Sequence, residues 1–129
     1  MEDLTGAEIA TILLAVAAAA LSALSWWATR EAAAGRLARG NAMGIRVART
    51  LSSDDAWRRG HEVALPWTLV GRYVAGLLGV GALVAIGLEH TTPAGLALAI
   101  GGLLFAVGTP FAAAIAINRD PLDEAVTDS

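Results

Sequence analysis

The chain has no cysteine among its 129 residues, which removes disulfide frameworks and thiolate metal sites together. Histidine is nearly absent too: His61 and His90 are the only two, and they fall at opposite ends of a predicted membrane helix. No metal centre is expected from them. Lysine is missing altogether, all nine basic residues being arginine, a bias of the kind base composition produces and one that carries no functional weight here. The chain also has little charge, 16% against 56% hydrophobic residues, and long stretches have none at all. That pattern excludes an ordinary soluble domain and points to a membrane protein. No nucleophile–base pair, phosphate-cradling glycine loop or metal-ligand spacing is present, so neither an enzyme nor a cofactor is expected.

What is present begins with three apolar runs. Residues 9–29 are free of charge, and 21 residues at about 1.5 Å each cross the ~30 Å hydrocarbon core. Residues 67–88 and 94–117 form the second and third runs, with Arg72 the one charge inside them. Such a group either marks function or, this near the boundary, lets its long side chain snorkel to the headgroups. Trp26, Trp27, Trp67 and Tyr73 collect at one predicted boundary as an aromatic belt. Ala15, Ala19 and Ala23 on the first run, Ala75/Gly79 and Gly81/Ala85 on the second, and Ala97/Gly101 and Gly102/Ala106 on the third offer small-residue faces for close helix packing. The same faces could serve a homo- or hetero-oligomer. Glu89–Pro93 is short enough to make the last two helices an antiparallel hairpin.

Charge is segregated. Glu2, Asp3 and Glu8 precede the first run without a basic neighbour, whereas residues 29–62 carry seven arginines against Glu31, Asp54, Asp55 and Glu62. By the positive-inside rule the 30–66 segment and the C-terminus are expected in the cytoplasm and the N-terminus outside. The acidic start also argues against a cleavable signal peptide. Residues 118–129 read as an acidic tail. Interleaved acids, and an anionic membrane surface that accounts for the arginines equally well, argue against direct nucleic-acid binding.

Between the first two runs, Glu31–Leu37 is expected to extend the first helix, with Gly40-Asn41 as its stop. Ser53 is positioned as an N-cap, with Asp54 and Asp55 in the first turn. It opens a short amphipathic helix on which Asp54 would face Arg58 and Asp55 would face Arg59. Trp57, His61 and Leu65 share a face of that helix at four-residue spacing. Pro66 either opens the second membrane helix or kinks a continuous one.

The polar segment Asn41–His61, NAMGIRVARTLSSDDAWRRGH, holds most of the chemistry. Asn41, Gly44, Ile45, Arg46, Thr50 and Trp57, followed by His61, resemble the signature of the SdpI family of bacterial membrane immunity proteins. Val47 and Ala48 depart from it, since the family usually carries Thr and then Pro or Lys there. The resemblance covers the minimal three-helix module. It implies resistance to a membrane-active toxin, with signalling through sequestration of a cytosolic regulator, in the bacterial inner membrane. The rival reading is a small structural or assembly subunit of a larger membrane complex.

Each motif residue has two readings. Arg46 either anchors a partner or lipid phosphate through its planar fork, or braces the loop against Asp54, Asp55 or Glu62. Asn41 and Thr50 read as loop caps, and Gly44 as a backbone conformation closed to other residues. Trp57 and His61 form either a recognition face or packing at the end of the bundle. The expected architecture is all-α: one membrane domain of three transmembrane helices with a short cytoplasmic amphipathic helix between the first and second.

Overall fold

The structure, a computed structural model, describes residues 3–88 and 92–120. Of the expected tight connection Glu89–Pro93, residues 89–91 lie outside the described residues, as does the acidic tail beyond Asp120, while Thr92 and Pro93 already belong to the last helix. Four helices follow in order: α1 (Gly6–Ala33), α2 (Ala48–Leu51), α3 (Asp54–Gly87) and α4 (Thr92–Asn118). Among the described residues there is no strand, and α1, α3 and α4 are each long and apolar enough to cross a membrane.

Helix α1 starts earlier than its charge-free run because Thr5 and Glu8 cap it reciprocally. The Glu8 carboxylate accepts from the Thr5 N–H at 2.8 Å, and the Thr5 hydroxyl accepts from the Glu8 N–H at 3.2 Å, a complete capping box. The helix stops at Ala33, short of the expected stop at Gly40-Asn41. Gly35 takes the left-handed conformation at φ 80°, and the N–H groups of Gly35 and Arg36 return to the carbonyls of Ala32 and Glu31. This is a Schellman closure, and the first glycine able to adopt it ends the helix. The Arg36 guanidinium grips the Glu31 carboxylate over it at 2.7 and 2.8 Å, holding that carboxyl below its usual range.

Helix α3 runs unbroken through Pro66, so the separate surface helix expected ahead of the second span is instead the beginning of α3. One proline removes one backbone hydrogen bond, the one Glu62 would have accepted, and Pro66 is exposed, where its ring meets little. At 34 residues the helix is about 51 Å long against a hydrocarbon core of ~30 Å. Its charged first three turns, through Leu65, therefore extend beyond the span.

The chain forms two compact units, one from Met1–Ala23 and Gly71–Gly108, the other from Leu24–Val70 and Thr109–Ser129. In the first, the buried stripe of α1 is Thr11, Ala15, Ala18 and Ser22. This replaces the expected Ala15/Ala19/Ala23 face, because steps of four and three track the 3.6-residue turn whereas repeated fours drift off it. On α3, Ala75, Gly79, Ala82 and Ala85 are buried, and on α4 Gly95, Ala99, Gly102 and Ala106. The expected Gly81, Ala97 and Gly101 are not. A Cβ on Gly79 would lie 3.3 Å from the Ala15 carbonyl oxygen, one on Gly102 3.4 Å from that of Ala75, and one on Gly95 3.2 Å from that of Ala82. From 75 to 82 on α3 the partner falls from 102 to 95 on α4, which makes the pair antiparallel. Large side chains such as Leu77 and Leu104 face outward, 72% and 67% exposed. Small inside and large outside is the arrangement of helices solvated by lipid. The buried hydroxyls of Thr11 and Ser22 bond to carbonyls of their own helix, as a solvent without hydrogen-bonding capacity requires.

Candidate functional site

The second unit contains the polar segment, folded as a knot around two buried rings. Asn41 opens it with a turn: its side-chain oxygen accepts from the Met43 N–H at 2.9 Å and its carbonyl from the Gly44 N–H at 3.1 Å. Gly44 follows, flat against Trp57. A Cβ there would sit 2.5 Å from one carbon of the indole and 3.0 Å from His61 Nε2. The residue is glycine for closeness of approach, and its φ is not in the left-handed region, contrary to the conformational reason expected for it.

Trp57 is 2% exposed and its Nε1–H donates to the Leu37 carbonyl at 2.9 Å. This ties the loop after α1 to the first turns of α3. One turn further, His61 is fully buried with its ring centroid 4.3 Å from that of Trp57. The Ile45 N–H donates to His61 Nε2 at 2.9 Å, and His61 Nδ1 lies 2.7 Å from the Trp57 carbonyl. A backbone N–H can only donate, so Nε2 is the bare acceptor and Nδ1 carries the proton. The imidazole is thus neutral. Burial pushes its pKa below the ordinary value, and the hydrogen bond to the Trp57 carbonyl offsets this in part.

Thr50, also fully buried, closes the other side. Its hydroxyl accepts from the Val47 N–H at 3.1 Å and donates toward the carbonyls of Ile45 and Val47 at 2.8 and 2.9 Å. The short α2 sits on this closure, with Val47 extended before it. Where the family resemblance expects Thr, Val47 packs with Ile45 and Val63 against Ala64, Ala113 and Ile117. Ser53 then caps α3 as expected, accepting from the Ala56 N–H at 3.0 Å. Among the described residues no buried side-chain nitrogen or oxygen lacks a partner.

The acids bond differently from the expected i,i+4 pattern. Asp55 meets Arg58 at 2.6 Å, while Asp54 turns to Arg39 of the loop at 3.4 Å. Arg59 reaches Asp120 at 3.1 Å and Glu62 at 3.8 Å. Each acid proposed to brace Arg46 has therefore taken another arginine. Arg46 is exposed and has no ion pair or hydrogen bond among the described residues.

The structure thus brings Gly44, Ile45, Thr50, Trp57 and His61 into one knot, places Asn41 at its entrance and turns Arg46 outward. Arg72, half-buried on α3, belongs to the other unit. Two residues that the sequence reading passed over complete the site. Gly60 lies against Thr50, where a Cβ would meet its methyl at 2.6 Å, and a mid-helix glycine costing about 1 kcal/mol against alanine was the available signal. Arg49 donates to the Ile117 carbonyl at 2.8 Å, beside the Asp120 N–H that reaches the same oxygen at 3.2 Å, a cation at the C-terminal end of a helix. No local signal marked it.

The family model described as the SdpI/YfhL protein family matches residues 36–118. The chain belongs to that family. No curated protein and no solved structure matches the chain. The SdpI/YfhL match begins at Arg36, directly after the glycine that closes α1, and ends on the last residue of α4. It takes in every residue of the knot and leaves out α1, which the sequence resemblance had included.

Proposed function

We propose that this SdpI/YfhL protein protects a bacterial inner membrane against a membrane-active toxin, with the knot facing the cytosol, where it also holds a regulator. The observation that carries the reading is the family match over residues 36–118, which coincides with the knot and the two helices that follow it. The cytosolic placement is supported by the seven arginines of residues 29–62 and the positive-inside rule. Trp57, His61 and Thr50 are buried, so in this reading they are the scaffold, and recognition falls to the exposed loop around Arg46. The subunit reading has less to work with, because Gly79, Gly95 and Gly102 already pack against other helices of the same unit.

The test is survival of a toxin-sensitive bacterium expressing the chain and challenged with a panel of membrane-permeabilising peptides, with membrane levels measured in the same cells. The wild type should protect, and Arg46→Ala at equal level should not. Absence of protection by the wild type against every peptide removes the immunity reading. Orientation is read separately: with no native cysteine, Ser53→Cys should resist an impermeant thiol reagent in intact cells and Ala94→Cys should label.

A further inference from the structure

We propose that the groove beside Arg46 binds an anionic phospholipid, its phosphate on the guanidinium and part of an acyl chain against α4. The groove lies wholly within the second unit, has a volume of about 270 Å3 and is lined by Ser25 and Thr29 of α1, Met43 and Arg46 of the loop, and Phe111 and Ala114 of α4, among others. It is mostly apolar with a cation on its wall, which is the chemistry of a molecule with an apolar body and an anionic head.

Charge accounting identifies the head. Glu31 is held by Arg36, Asp54 by Arg39, Asp55 by Arg58, and Glu62 and Asp120 by Arg59. Arg30, Arg46 and Arg119 keep exposed guanidinium groups with no ion pair among the described residues, Arg30 lying over the Trp26 ring, and of the three it is Arg46 that lines the groove. Its planar fork suits two phosphate oxygens at once.

Size and setting identify the body. Pockets for drug-sized ligands begin at about 300 Å3, so this groove takes a segment of chain rather than a folded peptide. Trp27 and Trp67 of the same unit are both 45% exposed, and exposed tryptophan at the end of an apolar span marks the headgroup level. A phospholipid is already present there at high concentration, and neutral headgroups carry no net charge to match Arg46.

The test does not depend on the immunity reading, since its readout is retained lipid. The full-length protein is reconstituted in vesicles of equal parts phosphatidylglycerol and phosphatidylcholine, extracted into mild detergent and weighed by native mass spectrometry. The wild type should retain phosphatidylglycerol over phosphatidylcholine by roughly fivefold, the scale of one basic group at an anionic surface. Arg46→Ala should lose the preference with unchanged melting, and Ala114→Trp, which fills the groove, should lower retention of both lipids. Excess inorganic phosphate should leave the lipid in place. No preference in the wild type, an undiminished preference in Arg46→Ala, or displacement by phosphate each overturns the proposal. So does a severalfold gain in retention on Asp123→Asn with Glu124→Gln, which would assign the groove to the chain's own acidic C-terminal segment.

Discussion

The backbone N–H of Ile45 donates to Nε2 of His61 across 2.9 Å, sixteen residues apart in sequence. That bond fixes the tautomer, because the opposite nitrogen must then give its proton to the Trp57 carbonyl. It also makes the knot intolerant of a second proton, which would set two N–H groups face to face.

Stability should therefore depend on pH through His61. Its folded-state pKa lies below the ordinary 6.5, so as pH falls the unfolded chain takes up the proton first. The contribution is fully present above the unfolded value and is lost as pH falls through the folded one. Melting in mild detergent from about pH 8 to about pH 5 should show a plateau and then a decline. In His61→Gln this decline should flatten; an equal decline in that variant would assign it to other groups.

Gly44→Val should destabilise the second unit by ~1–3 kcal/mol, the usual range for overpacking, because its Cβ would lie 2.5 Å from the Trp57 ring. Gly76→Ala, with nothing within 4 Å of the added carbon, is the control and should melt no lower than the wild type. Thermal unfolding followed by tryptophan fluorescence separates the two.

On α4 neighbouring glycines should behave oppositely. Gly102→Leu pushes into the Ala75 carbonyl 3.4 Å away, whereas a Cβ on Gly101 meets only the end of the Leu78 side chain at 3.6 Å. The monodisperse fraction after size-exclusion chromatography should drop for Gly102→Leu and hold for Gly101→Leu. Equal behaviour would mean that the α3–α4 packing is not the one described.

Arg46 and Arg49 make a second contrasting pair. Arg49→Ala strips the Ile117 carbonyl of its charged donor and should cost ~1.5–3 kcal/mol. Arg46→Ala removes an exposed side chain with no described partner and should stay within about 0.5 kcal/mol. Chemical denaturation of both variants in the same detergent measures the difference, and a large loss for Arg46→Ala would restore the bracing role.

The sequence alone determined what local free energies determine. Three apolar runs the length of a bilayer, with Arg72 the one charge inside them, can only be satisfied as helices in lipid, and Ser53 before Asp54 and Asp55 announces a helix start. The motif's spacing was enough for the family. The tertiary structure decided everything that depends on which distant groups meet. Thr50, Trp57 and His61 could each have faced a partner, and whether they do depends on the loop folding back so that Ile45 and Leu37 supply the bonds their polar atoms need. Arg49 finds a carbonyl 68 residues away, a distance over which no periodicity carries information. The freedom of Arg46 is a result of the same kind, since it follows from Asp54, Asp55 and Glu62 having bonded elsewhere. Spacing brings opposite charges within reach, but only the assembled backbone fixes which of them pair.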